Sequence, residues 1–163
     1  MNIPNDRPWF KYWPEGIPRH IDYPEIPLYQ FLIDTAEQYP DRPAFCSGDE
    51  SITFSELDDR TSRLASALAG FGLKRGSRGI VFLPNGIEYV IGYYGILKAG
   101  GSVAPVNPTY KKDELMHVVT DSEAVVVICN RETYPVVEEI REETGLREVI
   151  LADNEDIPRT ISL

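Results

Sequence analysis

The sequence predicts an α/β fold, a mainly parallel, doubly wound sheet with helices on both faces that follows an extended arm rich in proline and aromatic residues. Short apolar runs alternate with helix-length amphipathic segments, which is the pattern of βαβ units with right-handed crossovers. Eight of the 13 prolines fall before residue 44. Because proline removes a backbone donor and restricts the residue before it, the first part of the chain is not expected to form regular helix.

The extended arm is predicted to cover residues 1–27. It holds both tryptophans of the chain, and its aromatic residues are Trp9, Phe10, Tyr12, Trp13 and Tyr23. Large aromatic side chains are usually packed against something, so we expect the arm to lie on another surface.

An α/β subdomain is predicted over 28–152, followed by a tail over 153–163 that leads to further sequence. The subdomain opens with a helix over 28–39, which Pro40 ends. Helical spacing places four residues of this helix on one face, and they are Leu28, Leu32, Ala36 and Tyr39.

A short hairpin is predicted next, with strands near 43–46 and 51–53. Thr53 and Glu56 then form a capping box, since each side chain can satisfy the other's backbone N–H at a helix start. The helix that follows ends at Gly70 and Gly72. Its predicted inner face consists of Leu57, Thr61, Leu64, Ala65, Leu68 and Phe71.

The remaining elements alternate regularly along the chain. Strands are predicted near 79–83, 102–106, 124–129 and 147–151, and helices near 87–99, 112–121 and 132–143. The run 124–129 is apolar throughout, which is typical of a parallel strand that is covered on both faces.

The turns between these elements carry recognisable residues. Pro84 and Asn85 follow the first strand, and Asn85 with Glu88 is predicted to be a second capping pair. Gly100 and Gly101 end the next helix, and Asn107-Pro108 breaks the second strand.

Charge, apolar run length and cysteine usage bear on nucleic acid binding, membrane insertion and location in the cell. The net charge is −10, and the nearest basic clusters, Lys74-Arg75 and Lys111-Lys112, are expected to be solvated pairs, so no nucleic acid partner is predicted. No apolar run is long enough to predict a transmembrane segment. Cys46 and Cys129 lack CxxC spacing and are expected to be reduced and buried, which together with the missing apolar leader predicts a cytoplasmic location.

The residues alone do not indicate an active site. The segment 95–102 has Gly101 where a phosphate-binding loop needs lysine, and it runs from helix into strand. His20 and His117 have no metal-ligand spacing. The acidic pairs Asp58-Asp59 and Glu138-Glu139 are expected to lie on solvated helix faces. No catalytic, cofactor-binding or metal-binding residue is therefore predicted.

Several segments in the right order resemble the adenylate-forming superfamily, which includes the AMP-forming acyl-CoA synthetases. Segments 52–57 and 97–108 resemble its first two core motifs, and segments 72–78 and 83–85 resemble shorter motifs that the family has between them. The matching residues are Thr53, Glu56, Leu57, Pro84, Asn85, Gly100, Gly101, Pro105, Asn107, Pro108 and Tyr110. The Arg7-Pro8-Trp9 opening and the Asn107 to Tyr110 segment are most similar to medium- and long-chain fatty acid–CoA ligases.

The resemblance implies a two-step reaction of the full-length enzyme with ATP, magnesium and CoA. The family's phosphate loop, adenine pocket, magnesium ligand and mobile lysine lie downstream of the segments matched here, so the matching residues are expected to be structural and the 163-residue chain to be inactive alone. Three interpretations stay open. The chain is either the N-terminal fragment of a truncated or split ligase, partnered by the remainder or a complementary chain, or a non-catalytic fragment that associates with a partner or with another copy of itself. The third is an independent nucleotide-binding module, which the missing phosphate loop disfavours.

Overall fold

The computed structural model of the protein describes residues 7–152 and the backbone of residues 161 and 162. Most of the predicted tail over 153–163 therefore lies outside the described residues.

Residues 7–27 form irregular backbone apart from one 3-10 turn, Pro8–Tyr12. Pro8 is compatible with this turn because the first N–H groups of a helix have no partner within it. The aromatic residues pack on one another, with the Phe10 ring centroid 5.7 Å from that of Trp13. Tyr12 remains 78% exposed. Tyr23 is similarly exposed, at 77%, so the described residues leave these two rings largely uncovered, and the expectation that the arm lies on another surface stays a prediction.

Five helices and seven strands follow the 3-10 turn within the described residues. The helices are α1 (Leu28–Gln38), α2 (Phe54–Gly70), α3 (Ile87–Lys98), α4 (Lys112–Ser122) and α5 (Tyr134–Arg141). The strands are β1 (Pro43–Ser47), β2 (Glu50–Thr53), β3 (Arg78–Phe82), β4 (Ser102–Pro105), β5 (Val126–Cys129), β6 (Glu148–Leu151) and β7 (Ile161–Ser162).

The predicted parallel sheet is confirmed. Its five strands lie in the order β4-β3-β5-β6-β7, and all neighbouring pairs are parallel. The register places Ile80 of β3 opposite Ala104 on one side and Val127 on the other. β1 and β2 form a separate antiparallel hairpin, as predicted.

Helices cover both faces of the sheet, also as predicted. Alternate residues of a strand point to opposite faces, so Val81 joins a core formed with α1, α2 and α3, whereas Ile80 and Phe82 join a second core formed with α4 and α5. β5 and β6 are divided in the same way, and their apolar residues are buried on both faces. No described helix is both long and apolar enough to cross a lipid bilayer.

Close packing between α2 and α3 depends on a glycine. A Cβ atom at Gly95 would lie 2.7 Å from Leu64 Cγ, so only glycine lets the two helices approach this far. At the end of the same contact, Lys98 Nζ lies 2.6 Å from Asp58 Oδ1. The prediction that Asp58 is merely solvated is therefore wrong.

Three further predictions are corrected. Cys46 is exposed because it is on the outer face of a hairpin strand, while Cys129 is buried as predicted. Phe71 is exposed because α2 ends at Gly70 and the chain leaves the helical path there. Asn85 does not cap α3, because the helix begins one residue later, with Gly86 at the N-cap position.

Candidate functional site at the carboxyl edge of the sheet

The direction in which the chain builds the sheet reverses at β3. The chain passes from β3 to β4 on one side, and it then returns to place β5 and β6 on the other side. Ligands of open α/β sheets bind outside the carboxyl ends of the strands at such a reversal. A cavity of about 220 Å³ lies at this position, between the hairpin and the segments that follow β3, β5 and β6.

A polar network fixes the loop after β5 to the end of β3. The Thr133 hydroxyl, in a residue that is only 4% exposed, donates to the carbonyl oxygen of Phe82 at 2.9 Å. Thr133 Oγ1 accepts from the Asn130 N–H, and Asn130 Oδ1 accepts from the Thr133 N–H, both at 3.1 Å. This lock holds Asn130 at the cavity.

The sequence analysis did not identify Asn130 and Thr133. The available signal was a pair of short polar residues three positions apart, directly after a buried apolar strand, because such residues often bond reciprocally to each other's backbone.

The cavity has an acidic polar lining. Glu50 and Glu88 supply carboxylates, Asn85 and Asn130 supply amides, and no lysine, arginine or histidine is among its described lining residues. Carboxylates repel phosphate oxygens, so this lining does not fit the triphosphate of a nucleotide. Within residues 7–152, no three His, Cys, Asp or Glu side chains gather as metal ligands.

Tyr134 begins α5, directly after the Asn130–Thr133 lock. Burial and a hydrogen bond with Glu138 raise the pKa of Tyr134 to about 12. The phenol therefore stays protonated at neutral pH and does not act as a base there.

The first matched motif forms the predicted capping box. Glu56 Oε2 accepts from the Thr53 N–H at 2.9 Å, and Thr53 Oγ1 accepts from the Glu56 N–H at 3.2 Å. The hydrogen bond from the Thr53 N–H, together with one from the Thr53 hydroxyl, holds the pKa of Glu56 below its usual value. Leu57, the next residue, is buried in the first core.

The glycines of the second motif lie at the opposite, amino edge of the sheet. Gly100 has φ +84, which favours glycine, and its N–H donates to the Leu97 carbonyl at 2.9 Å. A Cβ atom at Gly101 would lie 3.0 Å from Ile96 Cγ2, so the turn from α3 into β4 is closely packed.

The rest of the second motif returns to the carboxyl edge. Pro105 ends the edge strand β4, where a missing N–H is tolerated. Asn107 Oδ1 accepts from the Thr109 N–H at 3.0 Å, and the Tyr110 N–H donates to the Asn107 carbonyl at 3.0 Å, which together shape the loop through Pro108. Of the matched residues, the fold thus brings only Pro84 and Asn85 to the cavity, and a structural role for the others stays a prediction.

Comparison with known proteins agrees with this architecture. The model of the AMP-binding enzyme family matches residues 32–162. The long-chain-fatty-acid–CoA ligase of Yersinia pestis is 34% identical over 148 residues, which are 90% of this chain and 26% of that protein. The ligase of the same name from Bacillus subtilis is 36% identical over 76% of this chain and 22% of its own length.

A solved structure shows the same relationship. The long-chain-fatty-acid–CoA ligase of Archaeoglobus fulgidus superposes with a TM-score of 0.76 at 31% identity, covering 83% of this chain and 29% of that one. The chain spans about a quarter of the length of the curated relatives that it matches. It belongs to the AMP-binding enzyme family and resembles the N-terminal part of the family's fatty acid–CoA ligases.

Proposed function

We propose that this chain is the N-terminal α/β unit of a fatty acid–CoA ligase, which converts ATP, a fatty acid and CoA into acyl-CoA, AMP and pyrophosphate. The observation that carries the proposal is the identity of 34–36% to long-chain-fatty-acid–CoA ligases over most of the chain. A fatty acid substrate is inferred from the names of these relatives.

In this proposal, ligand binding and structural support come from different parts of the ligase. The carboxyl-edge cavity lacks a cation among its described lining residues and carries Glu50 and Glu88, so the phosphates of ATP and CoA would be held by groups that other sequence supplies. Magnesium would be held there as well, because no cluster of three potential ligands occurs among the described residues. This chain would contribute the rigid sheet and the Asn130–Thr133 lock at one wall of the site. The partner is then the remainder of the ligase or a complementary chain. A cytoplasmic location belongs to the proposal and is supported by the two free cysteines.

A non-catalytic fragment that binds a partner chain is the second candidate. It is favoured by exposed apolar residues of the arm and α1, among which Tyr12, Ile21, Leu28 and Phe31 are each about half or more exposed. The two candidates differ in whether association restores chemistry.

Fatty-acid-dependent exchange of labelled pyrophosphate into ATP tests both candidates. The isolated chain is expected to give the background rate. A relative such as the Bacillus subtilis ligase, with the matched N-terminal segment deleted, is expected to regain exchange when this chain is added. The deleted ligase without this chain is the control.

Two results would count against the first proposal. Saturable exchange by the isolated chain would show that it carries the catalytic groups itself. Tight binding to the deleted ligase with no exchange would favour the non-catalytic interaction fragment.

A further inference from the structure

A second cavity, of about 620 Å³, opens at the amino edge of the sheet, where β3, β5 and β6 begin. Four cations line it, although the whole chain has a net charge of −10. They are Lys74, Arg75, Arg78 and Arg147. Lys74 and Arg75 are exposed, as expected of a solvated pair, and the fold places Arg78 and Arg147 beside them, which the sequence did not indicate.

Most of this positive charge is not neutralised locally. Glu123 and Glu143 also line the cavity, but Glu123 Oε2 accepts from Arg78 Nη1 at 3.2 Å, and Glu143 Oε1 accepts from Lys112 Nζ at 2.9 Å. Within the described residues, Lys74, Arg75 and Arg147 form no ion pair. Three cations with no carboxylate partner therefore face one cavity.

A tight turn fixes the backbone that carries two of these cations, Lys74 and Arg75. The Ser77 N–H donates to the Lys74 carbonyl at 2.8 Å, and Ser77 Oγ accepts from the Lys74 N–H at 3.1 Å. Gly76 provides the positive φ of +90 that the third position of this turn needs. A backbone that is already ordered loses little entropy when a ligand binds.

Glu123 is the one non-glycine residue with positive φ among the described residues, at +51. Glu123 is the C-cap residue of α4, and this is the left-handed conformation in which helices commonly end. Its carboxylate lies against Arg78, so the cavity already contains one internal anion that a stronger external anion would displace.

We propose that the amino-edge cavity binds a small molecule that carries a pyrophosphate group. Guanidinium forks match phosphate oxygens in two-point contacts, and a pyrophosphate group carries about three negative charges, which the three unpaired cations balance. The volume falls in the range of about 300–1,000 Å³ of small-molecule sites. Val125, which is half-buried, provides an apolar contact for an organic part of the ligand. This inference does not rest on the proposed ligase function.

Inorganic pyrophosphate and ADP are the probes, titrated separately into the ¹⁵N-labelled chain and followed by amide chemical shifts. Saturable shifts are expected at Arg75, Gly76, Glu123 and Arg147. Additional shifts at Val125 with ADP alone would assign the ligand as a nucleotide, whereas equal responses to both probes would assign it as free pyrophosphate. Either result supports the site.

Variants then assign the contacts. Arg75→Ala and Arg147→Ala are each expected to weaken pyrophosphate binding about tenfold, the loss of a charge-assisted contact. Glu123→Gln is expected to tighten binding by freeing Arg78. Arg60→Ala, which removes an equal charge from an exposed position on α2 away from the cavity, is the matched control and is expected to change nothing.

The proposal is overturned if neither probe gives saturable shifts at the cavity amides of the unmodified chain. It is also overturned if Arg60→Ala weakens binding as much as Arg75→Ala, because that result describes diffuse attraction to surface charge. The shift map of the unmodified chain decides the question even if a variant does not fold.

Discussion

Thr53 and Glu56 satisfy each other's backbone N–H groups at the start of α2, and the same spacing in Asn85 and Glu88 does not do so at the start of α3. The difference is a single position. α3 begins at Ile87, so Gly86 is its N-cap and Asn85 precedes the cap. A spacing of three residues predicts a capping box only where the first residue of the pair occupies the N-cap position. The Pro84-Asn85-Gly86 turn places the glycine there instead.

Replacing Thr53 with alanine is expected to lower the free energy of unfolding by about 1 kcal/mol, because the Glu56 N–H loses its acceptor. Chemical denaturation at neutral pH measures the change. Ser66→Ala is the control, since it removes a hydroxyl from the exposed middle of the same helix and should be neutral or slightly stabilising.

The loss caused by Thr53→Ala should depend on pH. The Thr53 backbone N–H and, to a smaller extent, its hydroxyl donate to the Glu56 carboxylate and lower its folded-state pKa below the unfolded value near 4.5. Alanine keeps the N–H and removes only the hydroxyl, whose contribution is present above that value and disappears as the pH falls through the lowered pKa. The gap between the unmodified chain and the variant should therefore narrow in acid. A gap that stays constant down to pH 2 would show that Glu56 ionisation plays no part.

At the scale of whole elements, the sequence patterns were sufficient for the helices and strands but not for the contacts between them. The apolar run before Asn130 and the glycines after α3 located β5 and β4 to within one or two residues. The Asp58–Lys98 pair could not be predicted, because its partners are 40 positions apart and meet only when α2 packs on α3. The Gly95 contact that allows this packing is equally non-local.

This pair should respond asymmetrically to substitution. The Lys98 side chain is 7% exposed, and that of Asp58 is 32% exposed. Asp58→Ala leaves an ammonium group buried without its carboxylate and is expected to cost about 2 kcal/mol. Lys98→Met leaves a carboxylate that water can reach and is expected to cost less than about 1 kcal/mol.

Denaturant unfolding of both variants checks the order of these costs. Asp59→Ala is the matched control, because this neighbouring carboxylate pairs with the exposed Arg63 and should contribute almost nothing. Equal losses for Asp58→Ala and Lys98→Met would show that the ammonium group remains hydrated.

In the whole molecule, the two edges of one sheet differ in charge. The charged residues of the cavity at the carboxyl edge are carboxylates, whereas four cations and two carboxylates line the cavity at the amino edge. Each lining is assembled from segments that are far apart in the sequence, Lys74 and Arg147 for example. The sequence could therefore predict the βαβ units that build the sheet and the turns at its edges, but not which side chains share a cavity.

Exposed apolar residues are concentrated at one end of the described chain, in the arm and the first turn of α1, and they predict self-association. Leu28 and Phe31 are three positions apart on α1, on one helix face, and both are about half exposed. Burial stabilises association by roughly 25 cal/mol per Å² of apolar surface. The net charge of −10 opposes association, but at 0.1 M salt the repulsion between exposed charges more than about 10 Å apart is largely screened.

The average mass of the isolated chain, measured by light scattering at 0.1 M salt, should accordingly rise with concentration. Leu28→Ser with Phe31→Ser should shift this rise to higher concentration, because it removes apolar area from the shared face of α1. Phe71→Ser, at a single exposed phenylalanine beyond α2, is the control and should leave the rise unchanged, since isolated exposed apolar residues are ordinary on monomers. A monomer mass that stays constant at high concentration would mean that this face of α1 does not bind a second copy. The exposed residues of the arm would then be expected to bind a different partner.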